Sequence, residues 1–116
     1  MNIGIDMIEI DRISKSIKIP GFIEKVYSPQ EIEIYKKRRE NPEVLAGRFC
    51  VKEAFSKALG TGVRNFELDE VSTLNDELGR PYIVLSGNAL RLLGDRSVSV
   101  SITHTKTYAQ AAVIIY

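Results

Sequence analysis

Apolar and polar residues alternate from Asn2 to Ile10, with Ile3, Ile5 and Met7 on one face and Gly4, Asp6, Ile8 and Ile10 on the other. This pattern predicts a strand. Isoleucines on both faces make it a strand buried on both sides, with one carboxylate, Asp6, inside. From Asp11 to Ile19 the period changes: Ile13 and Ile17 stand at i, i+4, while Arg12, Lys15 and Lys18 share another face. A short amphipathic helix follows, stopped by Pro20 and Gly21. Ser28-Pro29-Gln30-Glu31 joins a capping hydroxyl, a proline at the first helical position and an acid in the first turn. It starts a second helix running to about Arg39. Asn41-Pro42 repeats the signal, and the stretch from Glu43 to Leu59 has no breaker after Gly47 and ends at Gly60, a suitable cap. This is the longest predicted helix.

Phe66 to Leu74, the turn Asp76-Glu77-Leu78-Gly79-Arg80-Pro81 and Tyr82 to Leu85 predict a hairpin. Ser86 to Leu93 predicts a short helix closed by Gly94. Ser97 to His104 alternates strictly, so His104 shares a face with Val98, Val100 and Ile102. A tight turn through Thr105, Lys106 and Thr107 leads to an apolar last strand ending at Tyr116. The order of elements predicts an α+β fold, an antiparallel sheet packed against helices on one side. With no repeat, low-complexity tract or linker, residues 1–116 form one expected domain.

Composition narrows the classes. A chain of 116 residues, 44% hydrophobic, can bury one ordinary core. Its 16 Lys and Arg nearly cancel 15 Asp and Glu, which leaves no global field to hold nucleic acid. The Lys36-Lys37-Arg38-Arg39 run sits beside Glu31, Glu33 and Glu40 without interleaved aromatics and reads as a solvated face. A single cysteine, Cys50, allows neither an internal disulfide nor a cysteine zinc cage and suits a reducing compartment. The longest apolar run, Ala111 to Tyr116, is far short of the roughly 18 residues of a membrane helix. Acidic residues interrupt any leader-like N-terminal stretch. A cytoplasmic protein without nucleic-acid or membrane partners is expected.

Several residues are candidates for chemistry. A carboxylate among apolar strand neighbours, as at Asp6, is costly unless paired, hydrogen-bonded or bound to metal. The plain alternative is an ion pair with a core Arg or Lys. On the long helix, about 100° per residue puts Glu53, Lys57 and Gly60 on one stripe with Ala46, Phe49, Cys50 and Ser56. Glu53 and Lys57 can form an ordinary i, i+4 surface pair or share a site. The amides of Gly60-Thr61-Gly62 can approach a phosphate, or the first glycine can simply cap the helix. His104, ending a half-buried strand, is either a packed core residue or a base or phosphate contact.

Three segments change the weighing when taken together. Gly4-Ile5-Asp6 with Ile8-Glu9-Ile10-Asp11-Arg12-Ile13, then Arg48-Phe49-Cys50-Val51-Lys52-Glu53-Ala54-Phe55-Ser56-Lys57-Ala58-Leu59-Gly60-Thr61-Gly62, and finally Ser101-Ile102-Thr103-His104-Thr105, closely resemble the holo-acyl-carrier-protein synthase family. The resemblance covers nearly the whole chain in order. It implies a short-type 4'-phosphopantetheinyl transferase that moves the phosphopantetheine arm of coenzyme A onto a serine of an acyl carrier protein. By carry-over, Asp6 and Glu53 hold Mg2+, Lys57 contacts the coenzyme A phosphates, and Arg48, His104 and Thr105 seat its nucleotide end. Family members are typically homotrimers with sites between subunits, so these residues need not meet within one chain. Cys50 and Val51 replace the small residues common in the family at those positions.

The chemistry is coherent. Mg2+ favours one or two carboxylates completed by phosphates and waters. Across a pyrophosphate it neutralises charge on the attacked and leaving groups, and Lys57 adds a positive charge one turn beyond Glu53. Glu53, through a water, is the expected base for the acceptor serine. Carrier proteins are acidic, and Arg12, Lys15 and Lys18 offer a basic docking face, with Arg12 foremost. The rivals are a coenzyme sensor without transfer, disfavoured by two acids near phosphates, and a nucleic-acid module built on Lys36 to Arg39.

Overall fold

The computed structural model describes residues 1–116. β1 (Asn2–Glu9) is followed by α1 (Ile10–Ile17), α2 (Phe22–Val26), α3 (Pro29–Lys37) and α4 (Pro42–Leu59). A 3-10 turn at Leu68–Glu70 precedes β2 (Val71–Asn75), β3 (Pro81–Leu85), α5 (Gly87–Leu93), β4 (Val98–His104) and β5 (Tyr108–Ile115). The class is α+β, with two antiparallel sheets in place of one: a three-stranded sheet in the order β1-β5-β4 and the hairpin β2-β3.

Local chemistry sets the helix limits. The Ser28 hydroxyl accepts from the Glu31 N–H while the Ser28 N–H donates to Glu31 Oε1, a reciprocal box that starts α3. Asn41 Oδ1 accepts from the Glu43 N–H at the head of α4, and Gly60, at φ +82°, closes its other end in the left-handed conformation. α4 packs against β1, β5 and β4. Leu45, Ala46, Cys50, Val51, Ala54 and Phe55 form the core with Ala109, Ala111, Val113 and Ile115.

Helix and sheet come very close at Gly4, where a Cβ would lie 1.9 Å from the Ala54 carbonyl oxygen and 2.8 Å from Ala58 N. Only glycine fits there. Residues two apart share a strand face, so this approach also carries Asp6 to α4.

Two expectations need correction. β1 is buried on one side only: Gly4 and Ile8 face α4, while Ile3, Ile5 and Met7 are 62%, 50% and 60% exposed. α4 covers a single face of the sheet, and no element of the chain covers the other. The hairpin also begins later than its apolar pattern suggests. Glu67 and Glu70 cap each other's backbone and wind Leu68–Glu70 into the 3-10 turn, so β2 starts at Val71. Phe66 instead packs edge-on against Phe55, with centroids 5.7 Å apart. α2, only five residues long, carries no periodicity from which to predict it.

The hairpin is held to α4 by charged side chains. Lys52 and Glu31 are fully buried and paired, with Nζ 2.6 Å from Oε1. Lys52 also donates to the carbonyls of Leu68 and Val71, and Glu31 Oε2 accepts from the Thr73 N–H at 2.9 Å.

Candidate active site

Asp6, Glu53 and Arg12 line one pocket of about 310 Å³, with Ser16, Phe22 and Phe49 in its wall. Asp6 enters from β1 and Glu53 from α4, brought together by the contact at Gly4. The Asp6 side chain is 19% exposed. Burial, reinforced by the Asp6 charge and opposed by Lys57, raises the Glu53 carboxyl above the ordinary range. Lys57 Nζ lies 3.3 Å from Asp6 Oδ1 and donates to the Ile5 carbonyl at 3.0 Å. The helical Glu53–Lys57 pair does not form, and the lysine reaches across to the strand. Beneath them Cys50 is enclosed, its Sγ 3.4 Å from the Ala109 carbonyl oxygen. Burial first, then the Asp6 charge, pushes its thiol up to about 12.

Arg48 and His104 line a different pocket, of about 230 Å³, together with Arg38, Glu43, Asn75 and Gly79. Arg48 is nearly buried. Its Nε donates to the Thr73 carbonyl at 3.0 Å and its Nη2 to Asn75 Oδ1 at 2.7 Å. His104 is more open than a half-buried strand end suggests, with its side chain 50% exposed and Nε2 2.9 Å from Glu43 Oε1.

The remaining candidates fall around these pockets. Thr105 Oγ1 accepts from the amides of Thr107 and Tyr108, so it shapes the β4–β5 turn. Gly60 and Gly62 both have positive φ and, with Thr61, follow directly on α4, one turn past Lys57. Arg12 and Lys15 on α1 and Lys18 at its C-terminal cap are exposed, while Ile13 is buried. The chain therefore unites Asp6, Glu53, Lys57 and Arg12, and separately Arg48 and His104, but does not bring the two sets together. The partners Glu43, Asn75 and Arg38 were not foreseen; they become neighbours only through tertiary packing.

No group of three or more His, Cys, Asp and Glu gathers anywhere in the chain. Two carboxylates at one pocket are too few for a closed zinc cage. They suit a hard cation that completes its shell with water and phosphate. Two acids beside a lysine, with an arginine-histidine pocket on the same chain, are groups suited to binding a phosphorylated ligand.

The model of the 4'-phosphopantetheinyl transferase superfamily matches residues 2–113, and the chain belongs to that superfamily. It is 44% identical to the holo-[acyl-carrier-protein] synthase of Fusobacterium nucleatum subsp. nucleatum over 119 residues, covering 99% of this chain and 98% of that one. It is 43% identical to the Clostridium novyi protein of the same name, over 99% of this chain and 86% of that one. Among solved structures, the Helicobacter pylori holo-[acyl-carrier-protein] synthase in complex with coenzyme A superposes with a TM-score of 0.88 at 33% identity, covering 98% of this chain and 99% of that one. The Bacillus anthracis str. Ames synthase, in complex with CoA (3',5'-ADP), gives 0.84 at 35% identity over 98% and 94%.

Proposed function

We propose that residues 1–116 act as a single Mg2+-dependent transferase domain that moves 4'-phosphopantetheine from coenzyme A to a serine of an apo acyl carrier protein, releasing adenosine 3',5'-bisphosphate. The observation that carries this reading is the meeting of Asp6 and Glu53 in one pocket that Arg12 also lines. The names and bound coenzyme A of the relatives support the substrates.

Asp6 and Glu53 would hold Mg2+, which when bound neutralises charge on the pyrophosphate of coenzyme A. Lys57, already turned into the site, sets its ammonium against the same phosphates, and the amides of Gly60, Thr61 and Gly62 lie one turn further on. Glu53, whose proton affinity is raised, takes the serine proton through an intervening water. Arg12 meets the acidic carrier protein at the mouth of the pocket.

Arg48, His104 and Thr105 seat the nucleotide end of coenzyme A from a neighbouring subunit. This accounts for the two separate pockets: each site takes its carboxylates from one chain and its arginine and histidine from the next, in a homotrimer. The uncovered apolar row Ile3, Ile5 and Met7 supplies a surface for that association. A cytoplasmic setting suits the lone buried thiol of Cys50. No helix of the chain is long and apolar enough to cross a membrane.

Intact-mass spectrometry of an apo acyl carrier protein incubated with this protein, coenzyme A and Mg2+ tests the reading. A gain of about 340 Da, the mass of one phosphopantetheine group, that disappears with EDTA is the expected result. Coenzyme A binding without any mass gain would favour a sensor instead.

A further inference from the structure

We infer that the buried pair Glu31 and Lys52, which the transfer chemistry does not use, is a positioning device that fixes the Arg48 guanidinium in its pocket. This rests on the proposed role of Arg48 at the nucleotide end of coenzyme A.

The hairpin β2-β3 has only two strands, so one edge of β2 has no strand beside it. Side chains stand in for the missing strand. Along that edge Lys52 takes the Val71 carbonyl, Glu31 takes the Thr73 N–H, Arg48 Nε takes the Thr73 carbonyl, and Arg48 Nη2 takes the Asn75 side chain. Residues 71, 73 and 75 alternate outward from the hairpin. Arg48 and Lys52 are one turn apart on α4, so successive turns of the helix meet successive outward residues of the strand. Glu31 closes the array by accepting from both Lys52 and Thr73.

Arg48 therefore does not choose its own direction. Its Nε is aimed by the Thr73 carbonyl, and the position of Thr73 is set by Glu31, itself fixed by Lys52 and by the Ser28 amide. Asn75 in turn donates to the Gly79 carbonyl, which ties the β2–β3 turn to the same pocket. Shifting β2 would move the Thr73 carbonyl and the Asn75 side chain, and with them the guanidinium. A purely stabilising role is weakly motivated, because replacing a buried ion pair with apolar residues is often neutral or stabilising.

The test uses the full chain with Glu31 and Lys52 replaced together by Glu31→Leu and Lys52→Met, which removes the two opposite charges of the pair at once. Steady-state transfer is followed by carrier-protein mass, with coenzyme A varied. The double variant should fold, as judged by circular dichroism and thermal unfolding, and raise KM for coenzyme A about tenfold with kcat changed less than about threefold. The Arg48→Ala variant should raise that KM by about thirtyfold in the parent, and by less than about threefold when added to the double variant, because an unaimed arginine has little left to lose. A changed melting temperature with unchanged KM, or fully multiplicative effects of the two sets, would overturn the positioning role. If Arg48→Ala leaves the parent KM untouched, the assignment of Arg48 to coenzyme A fails instead, which is a separate result. Where the double variant does not fold, the isosteric Glu31→Gln carries the same cycle. Failure of both to fold would confine the pair to the fold and overturn the proposal.

Discussion

Lys57 sits one turn beyond Glu53 on α4, yet its ammonium lies 3.3 Å from Asp6 on the adjoining strand. With the lysine side chain 55% exposed, the ion pair contributes about 0.2–1 kcal/mol. Asp6→Asn should therefore shift thermal unfolding by only a few degrees, about what 1 kcal/mol produces in a domain of this size. Transfer should fall by about a hundredfold or more as one of two metal-holding carboxylates is lost. A large fall in melting temperature with transfer retained would make Asp6 a structural residue.

Glu53 holds its proton to higher pH in the folded chain than in the unfolded one, because burial and then the Asp6 charge disfavour its carboxylate. In metal-free protein it therefore opposes folding as pH rises from the ordinary carboxylate value through the raised one. Mg2+ must displace that proton. Calorimetry in buffers of different ionisation heats should show proton release that grows as pH falls into this window, alongside weakening Mg2+ affinity. Glu53→Gln should abolish both effects.

Gly4→Ala should be among the most damaging single-methyl changes in the chain. Its Cβ would meet the backbone carbonyl of Ala54 at 1.9 Å, and a helix carbonyl cannot turn aside as a flexible side chain can. The expected loss is about 3 kcal/mol, read as a lower urea midpoint. Transfer should fall further than stability alone explains, since Asp6 leaves α4 with the strand.

Two defective variants should rescue one another when assayed at coenzyme A well below the parent KM. Asp6→Asn retains a sound arginine-histidine pocket, and Arg48→Ala retains sound carboxylates. If sites lie between subunits, unfolding and refolding the pair together at equal ratio should restore about a quarter of parent activity by random assortment. Ile5→Asp, placed on the uncovered apolar face, should give folded monomers by sedimentation and little transfer. No rescue on refolding together would show that each site is built within one chain.

Thr73 Oγ1 is buried without a hydrogen-bond partner. Thr73→Val keeps the branching and removes the orphan hydroxyl, so it should raise stability by about 1 kcal/mol, seen as a higher melting temperature. A loss of that size would show that the hydroxyl is satisfied in solution.

Helix limits were legible because they are written in local chemistry: Ser28 with Glu31, Asn41 before Pro42, and Gly60 after Leu59 act within a turn of their own position. Alternation likewise showed which residues of β1 share a face. It could not show whether anything covers Ile3, Ile5 and Met7, because coverage depends on elements distant in sequence or on another chain. At Phe66 to Glu70 the spacing of Phe66 and Leu68 imitates a strand, and a pair of glutamates overrides it. Asp6, Glu53 and Arg12 were each identifiable as residue types in context, while only the family resemblance implied that the site residues need not meet within one chain. Lys52 escaped notice because a helical lysine reads as solvated. Its spacing from Leu45, Arg48, Phe55 and Leu59 places it on an inward stripe, and that was the available signal.

β1 and β5 pair from Asn2 with Ile115 to Glu9 with Tyr108, which joins the first strand of the chain to the last. During synthesis β1 emerges before β5 and has no partner strand until β5 has been made. Its isoleucines stay unpaired through that interval, and long-range pairing of this kind is slow to form. Asp6 gains its strand partner, Ala111, only when β5 has been made, and a chain interrupted before Tyr108 would carry every residue of the carboxylate pocket with only α4 to hold β1 in place.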